Sequence, residues 1–103
     1  MQTRYDIQPI PAFERDFRKL TKNNSYLRKE VEKCFVELSR DPFEPGLKTH
    51  KVMTAKFGRC YSSRVSGDIR IIWDFVEGKR VILALALGGH EGKRSVYKHE
   101  WRK

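Results

Sequence analysis

The chain has 103 residues, 34% of them charged, and Lys and Arg outnumber Asp and Glu by 22 to 13, a formal net charge of +9. A chain of this length is expected to form one domain and to bury roughly 60 to 70% of its unfolded surface, enough for a single core without staples. Its longest apolar run, Val81 to Leu87, is far too short to cross the roughly 30 Å of a bilayer as a helix. No zinc motif is present, because the chain has neither a C-x-x-C nor a paired-histidine spacing. These readings exclude a membrane-spanning helix and a cysteine- or histidine-built zinc module.

Tyr5-Asp6-Ile7-Gln8 opens the chain as a short strand that Pro9 confines to an edge. Pro11 suits a first helical turn, and Phe13, Phe17 and Leu20 follow at i, i+4, i+7 with charges between them, an amphipathic helix of about three turns. Asn23-Asn24-Ser25 breaks it and supplies the next N-cap. A second helix runs from about Tyr26 to Arg40, with Leu27, Val31, Cys34, Phe35 and Leu38 on one stripe, and stops at Asp41-Pro42. So short a connection makes the two helices antiparallel neighbours.

Residues 43–55 show no clear period. Pro45-Gly46 marks a turn, and Leu47-Lys48-Thr49-His50-Lys51-Val52 reads as a basic loop or irregular edge leading into a sheet. Three strands follow. The first covers about Phe57 to Val65, and Ser66-Gly67-Asp68 turns it into Ile69 to Val76, which is rich in β-branched and aromatic residues. Glu77-Gly78 lies at hairpin spacing before the last, where Val81, Leu83, Leu85 and Leu87 alternate with Ile82, Ala84 and Ala86. The tail, residues 91–101, can form a short helix. The expected fold is α+β: an N-terminal strand, a helical hairpin on one face of a three-stranded antiparallel meander, and a C-terminal helix, with the other face left for a ligand.

Cys34 and Cys60 lie far apart, and no apolar leader opens the chain, so both are expected as reduced, buried thiols in a cytoplasmic protein. The charge is uneven. Residues 1–45 carry a net +1 and residues 46–103 a net +8, and His50, His90 and His99 all fall in the second part. A balanced helical half joined to a basic sheet half points to a surface that meets a polyanion, with nucleic acid favoured over a mere solubilising excess.

Leu47-Lys48-Thr49-His50 ahead of the sheet, Arg64-Val65 and Asp68-Ile69-Arg70-Ile71-Ile72-Trp73 within it, and Gly89-His90 followed by Ser95-Val96-Tyr97-Lys98 carry a resemblance. In this order of elements the chain resembles the RelE/ParE superfamily of bacterial toxins, in its RelE/YafQ-like branch, over essentially its whole length. The resemblance implies the toxin of a type II toxin-antitoxin system: a metal-independent endoribonuclease that cuts mRNA on the translating ribosome, in the 30S A site, and uses no cofactor. It also implies a cognate antitoxin as partner, and operator DNA as a partner only of the toxin-antitoxin complex.

By position, the resemblance makes His90 the general acid and His50 a candidate base. Asp68 would orient a histidine, Arg64 and Arg70 would stabilise the transition state, and Tyr97 would contact the nucleotide. Lys51, Lys56, Arg59, Lys93, Arg94 and Lys98 are the expected RNA contacts. The chemistry agrees. RNA cleavage of this kind needs a base for the 2′-hydroxyl proton, cations for the charge building on phosphorus, and an acid for the 5′-oxygen. Histidine suits both proton-transfer roles because its reference pKa of about 6.5 lies near operating pH.

Each residue also has a plainer reading. His50 can be a solvated loop residue, Arg70 can pair with Asp68 or Asp74, Asp68 can be a turn residue, and Tyr97 can pack the tail. Trp73 and Trp101 read as packing aromatics and His99 as surface. The chain departs from YafQ-like sequences where Ser62 or Ser63 stands for a histidine and where Glu91-Gly92-Lys93-Arg94 lengthens the tail. Two other classes remain: a ParE-like gyrase poison with no nuclease site, and a non-catalytic basic nucleic-acid-binding module.

Overall fold

Strands and helices form where the apolar period changes along the chain. The computed structural model describes residues 4–89, in the order β1 (Asp6–Pro9), α1 (Pro11–Thr21), α2 (Ser25–Arg40), a 3-10 turn (Pro45–Leu47), β2 (His50–Thr54), β3 (Gly58–Ser66), β4 (Ile69–Phe75) and β5 (Val81–Gly89). One mixed sheet results, ordered β1-β5-β4-β3-β2, with β1 parallel to β5 and every other pair antiparallel. The helical hairpin and the meander β3-β4-β5 are as expected. The helix anticipated over 91–101 lies outside the described residues.

Local chemistry sets the boundaries. Pro11 opens α1, and Asn24 caps α2 by accepting the Leu27 N–H at 2.9 Å. Asp41, extended ahead of Pro42, closes α2. Both helices lie on one face of the sheet, α1 over β5 and α2 over β3. Phe13, Leu27, Val31, Cys34 and Leu38 from the helices bury against Ile71, Trp73, Ile82, Ala84 and Leu87 from the strands.

Three expectations need correction. The segment read as a basic loop contains a regular strand, because His50-Lys51-Val52-Met53-Thr54 pairs with β3 from Ser62 to Gly58. β2 is a fifth strand on the edge opposite β1, and polar side chains on both of its faces hid the alternation. Second, strict alternation fails in β5. Its register with β4 shifts between Ile72 and Trp73, leaving Leu85 as an extra residue. Ile82, Ala84 and Leu87 therefore share the helical face, while Leu85 and Ala86 join Val52, Cys60 and Ile72 in a second apolar cluster. Third, the face without helices is not bare, because that second cluster occupies its centre.

Both cysteines are free and buried, as expected. Burial, with Glu37 nearby, pushes the Cys34 thiol up to about 12. It therefore stays protonated at neutral pH and packs as a hydrophobe.

A buried relay fixes the entry to β2. Trp73 Nε1–H donates to Ser63 Oγ at 2.8 Å. Thr49 Oγ1 donates to the Pro42 carbonyl at 2.6 Å, so its single proton is used and Ser63 must be the donor in the 2.6 Å contact between the two hydroxyls. Trp73 is thus a core residue, as expected, and it also ties the residue before His50 to the sheet. Replacing Ser63 with Ala leaves the buried indole N–H without an acceptor. We expect Ser63→Ala to destabilise the protein by about 1–3 kcal/mol, seen as a lower urea midpoint with an unchanged slope.

Candidate RNA interface

Alternation decides which predicted residues share a face. Paired positions across the sheet set one row of His50, Ser62, Ile72 and Ala86, and a second row of Arg64, Arg70 and Gly88. Both rows lie on the face away from the helices, with Ile72 and Ala86. In sheet order the site reads His50 on β2, Arg64 on β3, Arg70 on β4 and Gly88-Gly89 ending β5. His50 and the end of β5 are three strand spacings apart, about 14 Å, with the arginine pair between them.

Arg64 and Arg70 stand directly opposite each other. Like charges in that relation are ordinarily destabilising. Here the turn between the strands relieves the conflict. Arg64 Nε donates to the Gly67 carbonyl at 3.4 Å and Arg70 Nη1 donates to the same oxygen at 3.0 Å, with a further 3.3 Å contact to the Ile69 carbonyl. Gly67 sits at φ +52, where a residue without Cβ is favoured. The register shift between Arg64 and Ser66 makes Val65 the bulged residue beside this turn. The hydrogen bonds of both guanidinium groups thus go to backbone carbonyls, and the pair retains N–H donors for an oxyanion.

His50 is exposed on β2, and its Nδ1 lies 3.1 Å from the Lys48 carbonyl. With the proton on Nδ1 and donated to that carbonyl, Nε2 keeps its lone pair and can accept a proton. Lys48 provides the carbonyl from a left-handed conformation at φ 50, which is uncommon for a residue with a side chain and costs of order 1 kcal/mol. Ser62, the position compared with a YafQ-like histidine, faces this site opposite His50, whereas Ser63 points to the helices and serves the relay to Trp73.

The other predicted residues separate. Asp68 is exposed in the turn next to Gly67. Arg70 forms its hydrogen bonds with Gly67 and Ile69, and the Asp74 carboxylate accepts the Phe75 N–H at 2.8 Å. Lys51 and Arg59 fall on the helical face, because their partners Tyr61 and Met53 alternate with Ser62 and Cys60. Lys56 lies in the β2–β3 turn, its Nζ 5.4 Å from the Phe57 ring centroid. His90, Lys93, Arg94, Tyr97 and Lys98 lie outside the described residues. Among the described residues no three His, Cys, Asp or Glu side chains come together as a metal site.

Sequence reasoning missed Asp16. β1 ends at Pro9 opposite Ala84, so the far half of β5 has no strand on that side. Asp16, on α1, takes the place of one by accepting the Leu87 N–H at 3.0 Å. It holds the segment that leads directly into Gly88-Gly89-His90. Nothing in the sequence marks this role, since the two residues are 71 positions apart.

Two helices on one face of a five-stranded mixed sheet, with cations gathered on the open face, define an α+β class that recurs among solved structures. No protein-family model matches the sequence, and a search of curated proteins returned no match. Solved structures do match. The toxin-antitoxin complex RelBE2 from Mycobacterium tuberculosis aligns with TM-score 0.64 and 22% identity, over 86% of this chain and 94% of that one. YafQ from E. coli aligns with TM-score 0.63 and 16% identity, over 82% and 92%. The YoeB-YefM complex from Staphylococcus aureus aligns with TM-score 0.66 and 19% identity, over 85% and 99%. The chain therefore has the RelE/ParE-like toxin fold anticipated from the sequence, and its structural neighbours are toxins of toxin-antitoxin systems.

Asp16 and Arg64 should respond oppositely to truncation. We expect Asp16→Ala to lower stability by about 1–3 kcal/mol, with Asp16→Asn recovering part of it through its amide oxygen. Arg64→Ala removes one of two facing like charges and should leave stability within about 0.5 kcal/mol of wild type. Chemical denaturation of the three variants checks both.

Proposed function

We propose that the chain is the toxin of a type II toxin-antitoxin system and cleaves mRNA on the translating ribosome in the cytoplasm. One observation carries the reading: Arg64 and Arg70 face each other on the open sheet face, and among the described residues their hydrogen bonds go to backbone carbonyls. A like-charge pair of this kind is suited to an anion, and a scissile phosphodiester supplies one.

In this reading the reaction joins the arginine pair to His50 and to the expected acid His90. The phosphodiester sits on the two guanidinium groups. His50 Nε2, unprotonated while Nδ1 donates to Lys48, takes the 2′-hydroxyl proton. The 2′-oxygen attacks phosphorus, the bond to the 5′-oxygen breaks, and a protonated His90 gives that oxygen its proton. The products are a 2′,3′-cyclic phosphate and a free 5′-hydroxyl. Arg64 and Arg70 neutralise the charge that grows on the non-bridging oxygens. Tyr97 contacts a base of the substrate, Asp68 orients a histidine, and Lys56, Lys93, Arg94 and Lys98 contribute phosphate contacts.

A cognate antitoxin holds the protein inactive in this reading, and operator DNA is bound only by the joint complex. The apolar groove between the helices, about 220 Å³ and lined by Phe13, Phe17, Val31 and Phe35, supports a protein partner on that side.

Primer extension on a translated reporter mRNA, after brief induction at matched protein levels, tests the assignment. Wild type should give discrete cuts. His90→Ala and His50→Ala should each reduce them at least about 100-fold, the scale of a lost acid or base. Growth arrest without cuts, indifferent to His90→Ala, would replace this reading with gyrase poisoning.

A further inference from the structure

Lys51 and Arg59, both expected to touch RNA, lie on the opposite face of the sheet from Arg64 and Arg70. On β2 and β3 the pairs Lys51 with Tyr61 and Met53 with Arg59 point to the helical side, yet neither helix reaches β2. The result is an open shoulder at the sheet edge. Lys51 and Arg59 are exposed there and Tyr61 is half-buried. As diagonal neighbours on one face, the two residues have backbone positions about 7–8 Å apart, and among the described residues neither has a carboxylate partner. A cleft of about 580 Å³ at this edge is lined by Lys51, Met53, Arg59 and Tyr61 together with Val52, Cys60 and Asp74 of the same strands.

Beside it Phe43 is 54% exposed, and its setting is rigid. Its ring centroid lies 5.7 Å from Tyr61, 6.4 Å from Trp73 and 6.2 Å from Phe75. Tyr61 is itself stacked on Trp73 at 4.7 Å. An exposed ring packed against three others, next to two cations without a carboxylate partner among the described residues, combines base stacking with phosphate neutralisation. An acidic protein segment would use the cations but would not call for the ring.

We propose that this shoulder is a second RNA-contact surface, which binds a single-stranded segment apart from the one held by Arg64 and Arg70. Lys51 and Arg59 contact phosphates and Phe43 stacks a base. The proposal rests on the reading of the chain as RNA-acting and adds a second grip on the other face of the sheet.

The test measures binding of 2′-O-methylated oligoribonucleotides, which cannot be cut, as a function of salt. One is about 20 nucleotides long and can span both faces, and the other is about 4 and fills one. For K51A/R59A the long oligomer should lose at least about tenfold in affinity, and its log–log salt slope should fall by about 1.4, or 0.7 per contact. The short one should be unchanged. Phe43→Ala should weaken the long oligomer about 5- to 150-fold at unchanged slope, because stacking releases no counterions.

An unchanged affinity and slope in K51A/R59A would overturn the proposal and leave an acidic protein segment as the partner of the shoulder. Equal losses on both oligomers in K51A/R59A and in R64A/R70A alike would also overturn it, by placing Lys51 and Arg59 in the arginine site. R64A/R70A separates the two readings. If that variant binds both oligomers normally while K51A/R59A does not, the shoulder stands and the arginine-centred cleavage site falls. If wild type binds neither oligomer, both fall.

Discussion

Two guanidinium groups facing each other across a strand pair constrain everything around them. Sheet alternation allows it only in one register, since a slip of a single residue between β3 and β4 would send the slipping strand's arginine to the apolar helical face and separate the pair. The register is held from both ends. At the turn, Gly67 adopts a positive φ and offers one carbonyl to both side chains, with Val65 bulged beside it. Further along, Tyr61 opposite Trp73, stacked at 4.7 Å, locks the same strand pair from the helical side. The aromatic core and the cationic site are thus two faces of one pairing, and the core supplies the stability against which the charge pair is held.

Much of this was legible in the residues because it is local. Asn24 as a cap, Asp41-Pro42 as a stop, and Ser66-Gly67-Asp68 as a turn each act through neighbours a few positions away. Arg64 and Arg70 are legible through the resemblance, as basic positions on the central strands. β2 was not legible. Five residues with His50 and Lys51 adjacent present polar groups to both faces, so no period separates a strand from a basic loop. Taking the segment as a loop also hid its main consequence, that alternation must divide Lys51 from His50. The β5 bulge was hidden for the opposite reason. Leu and Ala on both faces give a sequence in which a one-residue shift changes nothing visible, and only the pairing with β4 reveals Leu85 as the extra residue.

Long-range contacts escaped altogether. Asp16 on a helix reads as one more solvated charge, yet its carboxylate completes the edge of β5 where β1 has run out. Lys48 reads as part of a basic run, yet its left-handed backbone sets the carbonyl that lies 3.1 Å from His50 Nδ1. In both, one side of the hydrogen bond is a backbone group, and sequence patterns describe side chains.

The charges of β2 also protect the edge of the sheet. An edge strand exposes a row of unpaired N–H and C=O groups, and charged side chains along it are the usual protection against pairing with another chain. His50 and Lys51 provide that protection on β2, with Arg59 alongside on β3. The same groups that keep the edge from aggregating therefore point a histidine to one face and two cations to the other. The edge need not be covered by a partner to be stable in water, and it stays accessible on both sides to a polyanion. A neutral, apolar β2 would pack as well against β3 but would place no cation on either face and would leave the sheet open to its own copies. On this strand, resistance to self-association and the placement of the functional groups follow from one choice of residues.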